Sequence, residues 1–348
     1  MLTPDLSTSQ QDRYSRQILL PEIGAAGQRR LLASSAAVIG CGALGSVLAG
    51  MLVRAGVGRV KIVDRDTIEV NNLQRQILFD EEDIARGLPK AVAAAEKLRR
   101  VNSQVSIEPL VADVNPGNVE EIIGDVDLVL DGTDNFETRF LINDACVKHD
   151  VPWVYGAVVA TYGMSMAIIP HRTPCFRCVL AGMPPPGSAP TCDTVGVLGP
   201  AVSIVASLEA TEGLKLLMGK DDELHGRLLY VDAWQGTLER LEVVKGDTPC
   251  PACDLGQFEF LEAREGSYIT RLCGREAVQV SVRGAARVSF PELARRLEAV
   301  GQVTFNDYML RFGLDSCELT LFPDGRAIIK GTADEAMARS LYARYVGL

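Results

Sequence analysis

Four of the nine cysteines in this 348-residue chain fall in two pairs, Cys175-x-x-Cys178 and Cys250-x-x-Cys253. At this spacing a tight turn aims two thiolates at one tetrahedral metal ion. Pro174 and Pro249 each stand just before a pair and suit a rigid turn. A lone Cys-x-x-Cys could equally be a redox dithiol. Two pairs, each beside a proline, favour structural zinc, provided the fold brings the distant segments together. Four thiolates would fill the coordination shell, so such a zinc would clamp the chain and not catalyse.

A second cluster lies upstream. Gly40-Cys41-Gly42-Ala43-Leu44-Gly45 follows the apolar run Ala36–Ile39 and opens an apolar stretch to about Ala55. Glycines let a backbone turn tightly and approach a phosphate, and the following helix N-terminus favours negative charge. Asp64 ends the expected strand Arg59–Val63, about 20 residues past the loop, where a carboxylate can bind a ribose hydroxyl. Taken alone this loop suggests NAD, or only a tight strand–helix turn with no ligand.

Three further motifs point elsewhere. They are Asn71-Asn72-Leu73-Gln74-Arg75-Gln76, Lys90 after Gly87-Leu88-Pro89, and Asp131-Gly132-Thr133-Asp134-Asn135. Hydride transfer needs none of this set. Splitting a triphosphate needs cations on the phosphates, which Arg75 and Lys90 supply. It also needs a carboxylate for Mg²⁺ at the carboxyl end of a strand, where Asp134 stands. Singly, Arg75 and Lys90 could be solvated charges and Asp134 a turn cap. Their joint occurrence in one nucleotide-binding pattern weighs against that reading.

The elements that must position these residues alternate. Strands are expected at Ala36–Ile39, Arg59–Val63, Val105–Leu110, Val126–Leu130, Pro152–Val159 and Met164–Ile169. Helix-like segments are expected over Arg13–Leu20, after the glycine loop, over Pro89–Val101 and over Ala201–Met218. This implies an α/β fold with a doubly wound, mostly parallel, Rossmann-like sheet. Residues 182–193, with Pro184-Pro185-Pro186 at their centre, read as a mobile loop or crossover and not an element. After Cys253 a small α+β module is expected. It has helices Pro291–Val300 and Ala333–Val346 and strands Tyr308–Phe312, Glu318–Phe322 and Ala327–Lys330. The chain thus divides into residues 1–255 and a module of unassigned role over 256–348.

Composition narrows the classes. An apolar fraction of 47% and a charged fraction of 23% are ordinary for a globular protein. A net charge of −10 offers no basic surplus for a nucleic-acid backbone. No apolar run reaches the roughly 18 residues of a membrane helix. The N-terminus has no hydrophobic signal core, so a cytoplasmic protein with reduced thiols is expected.

As an ordered set, these motifs resemble the MoeB/ThiF group of adenylyltransferases, relatives of the ubiquitin-activating enzymes. The resemblance spans residues 13 to about 255. It rests on Arg13-Tyr14-Ser15-Arg16-Gln17-Ile18, Gly40 to Gly45, Asp64-Arg65-Asp66, Asn72 to Gln76, Lys90, Thr133-Asp134-Asn135 and both cysteine pairs. It implies ATP-dependent adenylation of the C-terminal glycine of a ubiquitin-like sulfur carrier, ahead of thiocarboxylate formation for thiamine, molybdopterin or a related thiolation pathway. Gly40, Gly42, Ala43 and Gly45 would line the ATP site, with Asp64 on the ribose and Asp66 beside it. Asn72, Arg75 and Lys90 would contact phosphates, and Asp134 would hold Mg²⁺. Arg16 would reach into a partner subunit's site, implying a homodimer, or else cap its own helix. Cys192, in Pro190-Thr191-Cys192-Asp193, matches the family's crossover-loop cysteine. It is either a thiol for sulfur transfer or a spectator, and Asp193 beside it would raise its pKa.

A carboxylate nucleophile needs no general base near pH 7. The three histidines, His149, His171 and His225, stand outside every nucleotide motif and read as structural or exposed. The competing classes are a non-catalytic subunit that only binds a ubiquitin-like protein, and an NAD-dependent oxidoreductase. The first would be expected to lose the phosphate-contacting residues, and the second leaves Arg75, Lys90, Asp134 and the cysteine pairs unexplained. Family members acting on tRNA lack the two cysteine pairs. The C-terminal module does not read as a rhodanese domain, since Cys273 and Cys317 sit in strand-like context. It is expected to help dock the carrier or a sulfur donor, such as a cysteine desulfurase or rhodanese.

Overall fold

The computed structural model describes residues 5–185, 187–245, 248–262, 267–271, 276–282, 288–306, 309–314 and 316–347. Its first sheet contains β1 (Ser35–Ile39), β2 (Arg59–Val63), β3 (Ser106–Leu110), β4 (Leu128–Asp131), β5 (Trp153–Val159), β6 (Tyr162–Ile168), β7 (Leu228–Asp232) and β8 (Thr237–Leu241). Their order is β3-β2-β1-β4-β5-β6-β7-β8. The first five in that order run parallel, and β6, β7 and β8 continue antiparallel. β4 is buried at every position and β1 at all but its first, so Leu128–Leu130 and Ala36–Ile39 are continuous apolar runs and do not alternate.

Helices cover both faces. Ala43–Ala55 and Gly199–Leu217 pack Leu48, Leu52, Val202 and Val205 against Val38 and Val60 on one side. On the other, helix Phe136–Lys148 packs Phe140 and Ala145 against Ile39, Val129 and Trp153.

The second sheet contains β9 (Ser267–Arg271), β10 (Ala277–Val282), β11 (Gln302–Phe305), β12 (Leu310–Gly313), β13 (Glu318–Leu321) and β14 (Ala327–Lys330). It is antiparallel throughout, in the order β11-β12-β13-β14-β10-β9. Helices Phe290–Leu297 and Glu335–Tyr345 bury Leu293, Leu297, Ala338 and Tyr342 against Phe312, Leu319 and Ile329. This is an α+β module with its own core. Among the described residues no helix is long and apolar enough to cross a membrane.

Several expectations need correction. The single opening helix is two, Thr8–Arg13 and Ser15–Ile18, divided at Tyr14. Tyr14 is buried there, and its hydroxyl accepts a hydrogen bond from Asn102 Nδ2 at 2.8 Å. Helices Gly24–Ala33, Val119–Ile123 and Phe136–Lys148 and strands β7 to β11 have no counterpart in the sequence reading. Phe136–Lys148 is buried on almost every side, so it lacks the polar stripe that marks a surface helix. Its buried Arg139, Asn143 and Asp144 each satisfy a partner elsewhere in the chain. β8 is exposed at every residue and has no buried face to impose a pattern.

Of residues 182–193, those described up to Thr191 are irregular. Cys192 opens a four-residue helix, Cys192–Val195, because Thr191 and Thr194 cap it reciprocally. The expected Tyr308–Phe312 strand is Leu310–Gly313, and Tyr308 lies outside the described residues. Cys273 also lies outside them, and Cys317 stands just before β13 and not within a strand.

The loops leaving β1 and β4 touch through backbone alone. Gly40 has φ +85°, a region closed to most side chains. A Cβ at Gly45 or at Gly132 would collide with the carbonyl oxygen of Gly40. Gly45→Ala should therefore lower unfolding free energy by about 3 kcal/mol, the upper end of overpacking. Urea unfolding measures this, and a variant as stable as the natural chain would show that the loops can separate at no cost.

Candidate nucleotide pocket and metal clamp

β1 and β4 are adjacent but follow each other across the sheet, so their carboxyl ends open at a topological switch point. A cavity of about 620 Å³ lies there, within the usual range for a ligand site. The glycine loop forms one wall, with Gly40, Gly42 and Ala43 lining the cavity. Gly45 is held behind it against Gly40. A Cβ on Gly42 would meet only Gln76 Nε2, at 3.8 Å, so this glycine faces open space. Helix Ala43–Ala55 begins at this loop with no side-chain cap, leaving its first N–H groups for a ligand.

Asp64, Asp66, Asn72, Arg75, Lys90 and Asp134 all line the same cavity. Asp64 accepts hydrogen bonds from Cys41 N and Asp66 N, both at 2.7 Å, so its carboxylate holds the turn while keeping lone pairs free. Burial pushes the Asp64 carboxyl up, against the pull of Lys90. Lys90 begins helix Lys90–Val101 and is only 6% exposed, so it is no solvated surface charge. Its Nζ lies 3.3 Å from Asp66 Oδ2. Burial opposes its charge, but Asp64, Asp66 and Asp134 outweigh burial and raise its pKa.

Asn72 is buried and donates to Asn71 Oδ1 at 2.6 Å. Arg75 Nη1 donates to Asn71 O at 2.7 Å. Asp134 is exposed and has no hydrogen bond or ion pair with a described residue. The capping duties fall to its neighbours. Asp131 accepts from Thr133 N and Oγ1, and Asn135 caps helix Phe136–Lys148 through Thr138 N. Among the described residues, nothing therefore occupies the Asp134 carboxylate at the cavity edge.

Sequence reasoning missed two residues here. Arg139 is buried, pairs with Asp131 through Nε at 3.1 Å and donates to Thr133 O at 2.6 Å, so it braces the loop carrying Asp134. In sequence it stands among Glu137, Thr138, Asn143 and Asp144, and nothing there marks it out. Gln76 is 4% exposed, and its Oε1 has no partner though it lines the cavity. Arg16 lies elsewhere: it is exposed, outside the cavity, and makes no hydrogen bond or ion pair with a described residue. His149 and His171 pair with Glu120 and Asp150, His225 lies near Glu212, and none lines the cavity.

The cysteine pairs do meet. The Sγ atoms of Cys175, Cys178, Cys250 and Cys253 lie within 4.8 Å of one another. Cys175 is 3.6 Å from Cys250, Cys178 is 3.6 Å from Cys253, and Cys175 is 3.8 Å from Cys178. Zn–S bonds of about 2.3 Å in a tetrahedron give edges of about 3.8 Å, so the donor set fits zinc. Asp254 steadies the second pair, accepting from Cys250 N at 2.8 Å and pairing with Lys245 at 2.6 Å. Arg177, inside the first pair, joins Glu259 at 3.0 Å and lies over the rings of Phe140 and Phe260.

Cys192 lines the cavity from the opposite wall. Its Sγ lies 3.4 Å from Val158 O, as a donor. Burial first, then Asp134, pushes its pKa up to about 12; Arg75 opposes them, and Asp193 raises it as expected from sequence.

The chain matches the ThiF family over residues 14–252. It is 44% identical to the sulfur carrier protein ThiS adenylyltransferase of Bacillus subtilis, covering 96% of this chain and 99% of that protein. It is 41% identical to the SAMP-activating enzyme E1 of Haloferax volcanii, covering 75% of this chain and 95% of that one. The solved structure of E. coli MccB superposes with a TM-score of 0.62 at 20% identity, over 71% of this chain and 74% of that one, a likeness of fold alone. The chain belongs to the ThiF family, whose named relatives here are adenylyltransferases and an activating enzyme.

Purified protein should carry about one zinc per chain, and Cys250→Ser should lower that at least about tenfold with a fall in melting temperature. Elemental analysis decides, and natural protein free of metal would leave the thiols as an empty clamp. Cys192 should react with iodoacetamide at pH 8 on the order of a thousandfold more slowly than a free thiol, because little of it is thiolate. Peptide-resolved mass spectrometry should show its rate still climbing up to pH 10.

Proposed function

We propose that the chain uses ATP to adenylate the C-terminal glycine of a ubiquitin-like sulfur carrier of the ThiS or MoaD type. The product would serve thiocarboxylate formation for thiamine, molybdenum cofactor or a related sulfur-transfer pathway. The observation that carries this reading is one cavity holding the glycine loop, Arg75 and Lys90, and a carboxylate, Asp134, with no hydrogen bond or ion pair among the described residues.

Both reactants are anions, a tail carboxylate and a triphosphate. The protein's task is to align them and offset their charge, since the carboxylate is already ionised near pH 7. In this reading Gly40, Gly42, Ala43 and Gly45 shape the wall against which the phosphates lie. Asp64 takes the ribose, with Asp66 beside it keeping Lys90 in place. Asn72, Arg75 and Lys90 meet the phosphates, and attack of the tail carboxylate at the α-phosphorus expels pyrophosphate. Asp134 would hold Mg²⁺, which when bound offsets phosphate charge. The four clustered cysteines would hold zinc as a structural ion.

Exposed Arg16, next to the exposed Leu19 and Leu20, supports a homodimer in which it reaches a partner's site. Cys192 belongs to a later sulfur step supplied by a cysteine desulfurase or a rhodanese, and its thiol must leave the Val158 carbonyl to act. Residues 1–255 carry the adenylation and residues 256–348 serve it. All eight described cysteines are unbridged, which supports a reduced, cytoplasmic setting.

The test is ATP–pyrophosphate exchange with candidate carriers ending in Gly-Gly. Exchange should depend on one carrier and fall at least about a hundredfold in Asp134→Ala and in Arg75→Ala, with melting temperatures unchanged. If no carrier elicits pyrophosphate release from the natural chain, this function is wrong.

A further inference from the structure

Helix Glu335–Tyr345 of the C-terminal module ends at the cavity. Arg339, Ala343, Arg344 and Gly347 line it together with Arg75 and Lys90. The Nε of Arg344 lies 3.7 Å from Asp193 Oδ2, its one ion pair among the described residues. That is a long contact for a planar group with five donors. Five residues earlier, Arg339 makes no hydrogen bond or ion pair with a described residue, and its Nε is buried. Two guanidinium groups therefore enter one cavity: Arg339 Nε is buried with no partner among the described residues, and beyond Asp193 the Arg344 side chain meets Tyr345. Leaving buried donors unpaired is costly, and an anion would repair it.

The Arg344 side chain is not what anchors the crossover segment. The helix's backbone carbonyls do that work: Thr191 Oγ1 donates to Arg344 O at 2.6 Å and Gly187 N donates to Val346 O at 2.8 Å. Arg296, on the module's other helix, donates to Ala189 O at 2.8 Å. The fork of Arg344 is thus not needed to hold that segment. It also stands in the Lys90 corner of the cavity. Burial raises the Asp66 carboxyl, but Lys90, then Arg65 and, more weakly, Arg344 hold it below its ordinary range. Burial likewise opposes the charge of Arg344, and Asp193, Glu69 and Asp134 outweigh it.

We propose that Arg344, with Arg339 behind it, binds the terminal phosphates of ATP, so that the C-terminal module supplies part of the nucleotide site. A guanidinium fork matches two phosphate oxygens at once, and the β- and γ-phosphates carry the charge that AMP lacks. The inference rests on the ATP reading above and extends it to residues beyond 255. It gives the module a duty inside the reaction chamber, where the helix end meets the crossover segment that carries Cys192.

Mg-ATP, AMP and pyrophosphate titrated calorimetrically into the full chain test it without any carrier. Arg344→Gln should weaken ATP and pyrophosphate about tenfold while AMP affinity stays within about twofold. Arg344→Lys should recover part of the loss, because it keeps the charge without the fork. Asp193→Asn should not weaken ATP. Equal ATP affinity in Arg344→Gln and the natural chain overturns the inference and leaves the ATP site standing. Parallel loss of AMP, or the same loss in Asp193→Asn, also overturns it, since the residue would then act only through the fold or the ion pair. If the natural chain itself binds no ATP, the adenylation reading falls first.

Discussion

The contact on which the rest depends is between backbones, where the loop after β1 meets the loop after β4. No side chain fits at Gly45 or Gly132, because the carbonyl oxygen of Gly40 occupies the space a Cβ would need. This close approach brings the helix start at Ala43 beside the loop carrying Asp134. Without it, a strand-end carboxylate and a set of exposed N–H groups would lie on separate loops and share no ligand. The crowding is tolerated because all three residues lack a Cβ, at the entropic cost that glycine brings to an unfolded chain.

Around this contact the charges sort into two kinds. Those that shape the cavity are already paired: Arg139 with Asp131, and Lys90 with Asp66. Buried charges need such partners, since an unpaired one costs several kcal/mol. Those that face the open space, Asp134 and the guanidinium groups of Arg339 and Arg344, are weakly paired or unpaired. The first kind gives the site its form without a ligand, and the second leaves it with charge to spend on one. Cys192 stands between them as a half-buried thiol, kept neutral by its surroundings.

Two clamps hold the long return of the chain. The cysteine cluster joins the segment after β6 to the segment after β8, and Phe260 and Leu261 beyond it donate backbone N–H groups to Asp144 in the first core. The second clamp is the C-terminal module, which grips Gly187, Ala189 and Thr191 through the backbone carbonyls of Val346 and Arg344 and through Arg296. The crossover segment is therefore positioned from both sides, and the helix that begins at Cys192 takes its direction from elements more than a hundred residues away in sequence.

Residue type and spacing alone determined the chemistry. The glycine loop, Arg75, Lys90, Asp134 and the cysteine pairs each follow a local rule, and such rules survive without knowledge of the fold. Strands β1 to β6 were legible for the same reason, because apolar runs between turn residues are a local signal. Only tertiary structure decided the rest. Helix Phe136–Lys148 is buried on nearly all sides and β8 on none, so neither carries a one-sided pattern, and Arg139 and Gln76 gain meaning only from what they lie against. The approach of Arg344 to the cavity is decided by how two separate sheets pack, and no spacing along the chain encodes a distance between surfaces.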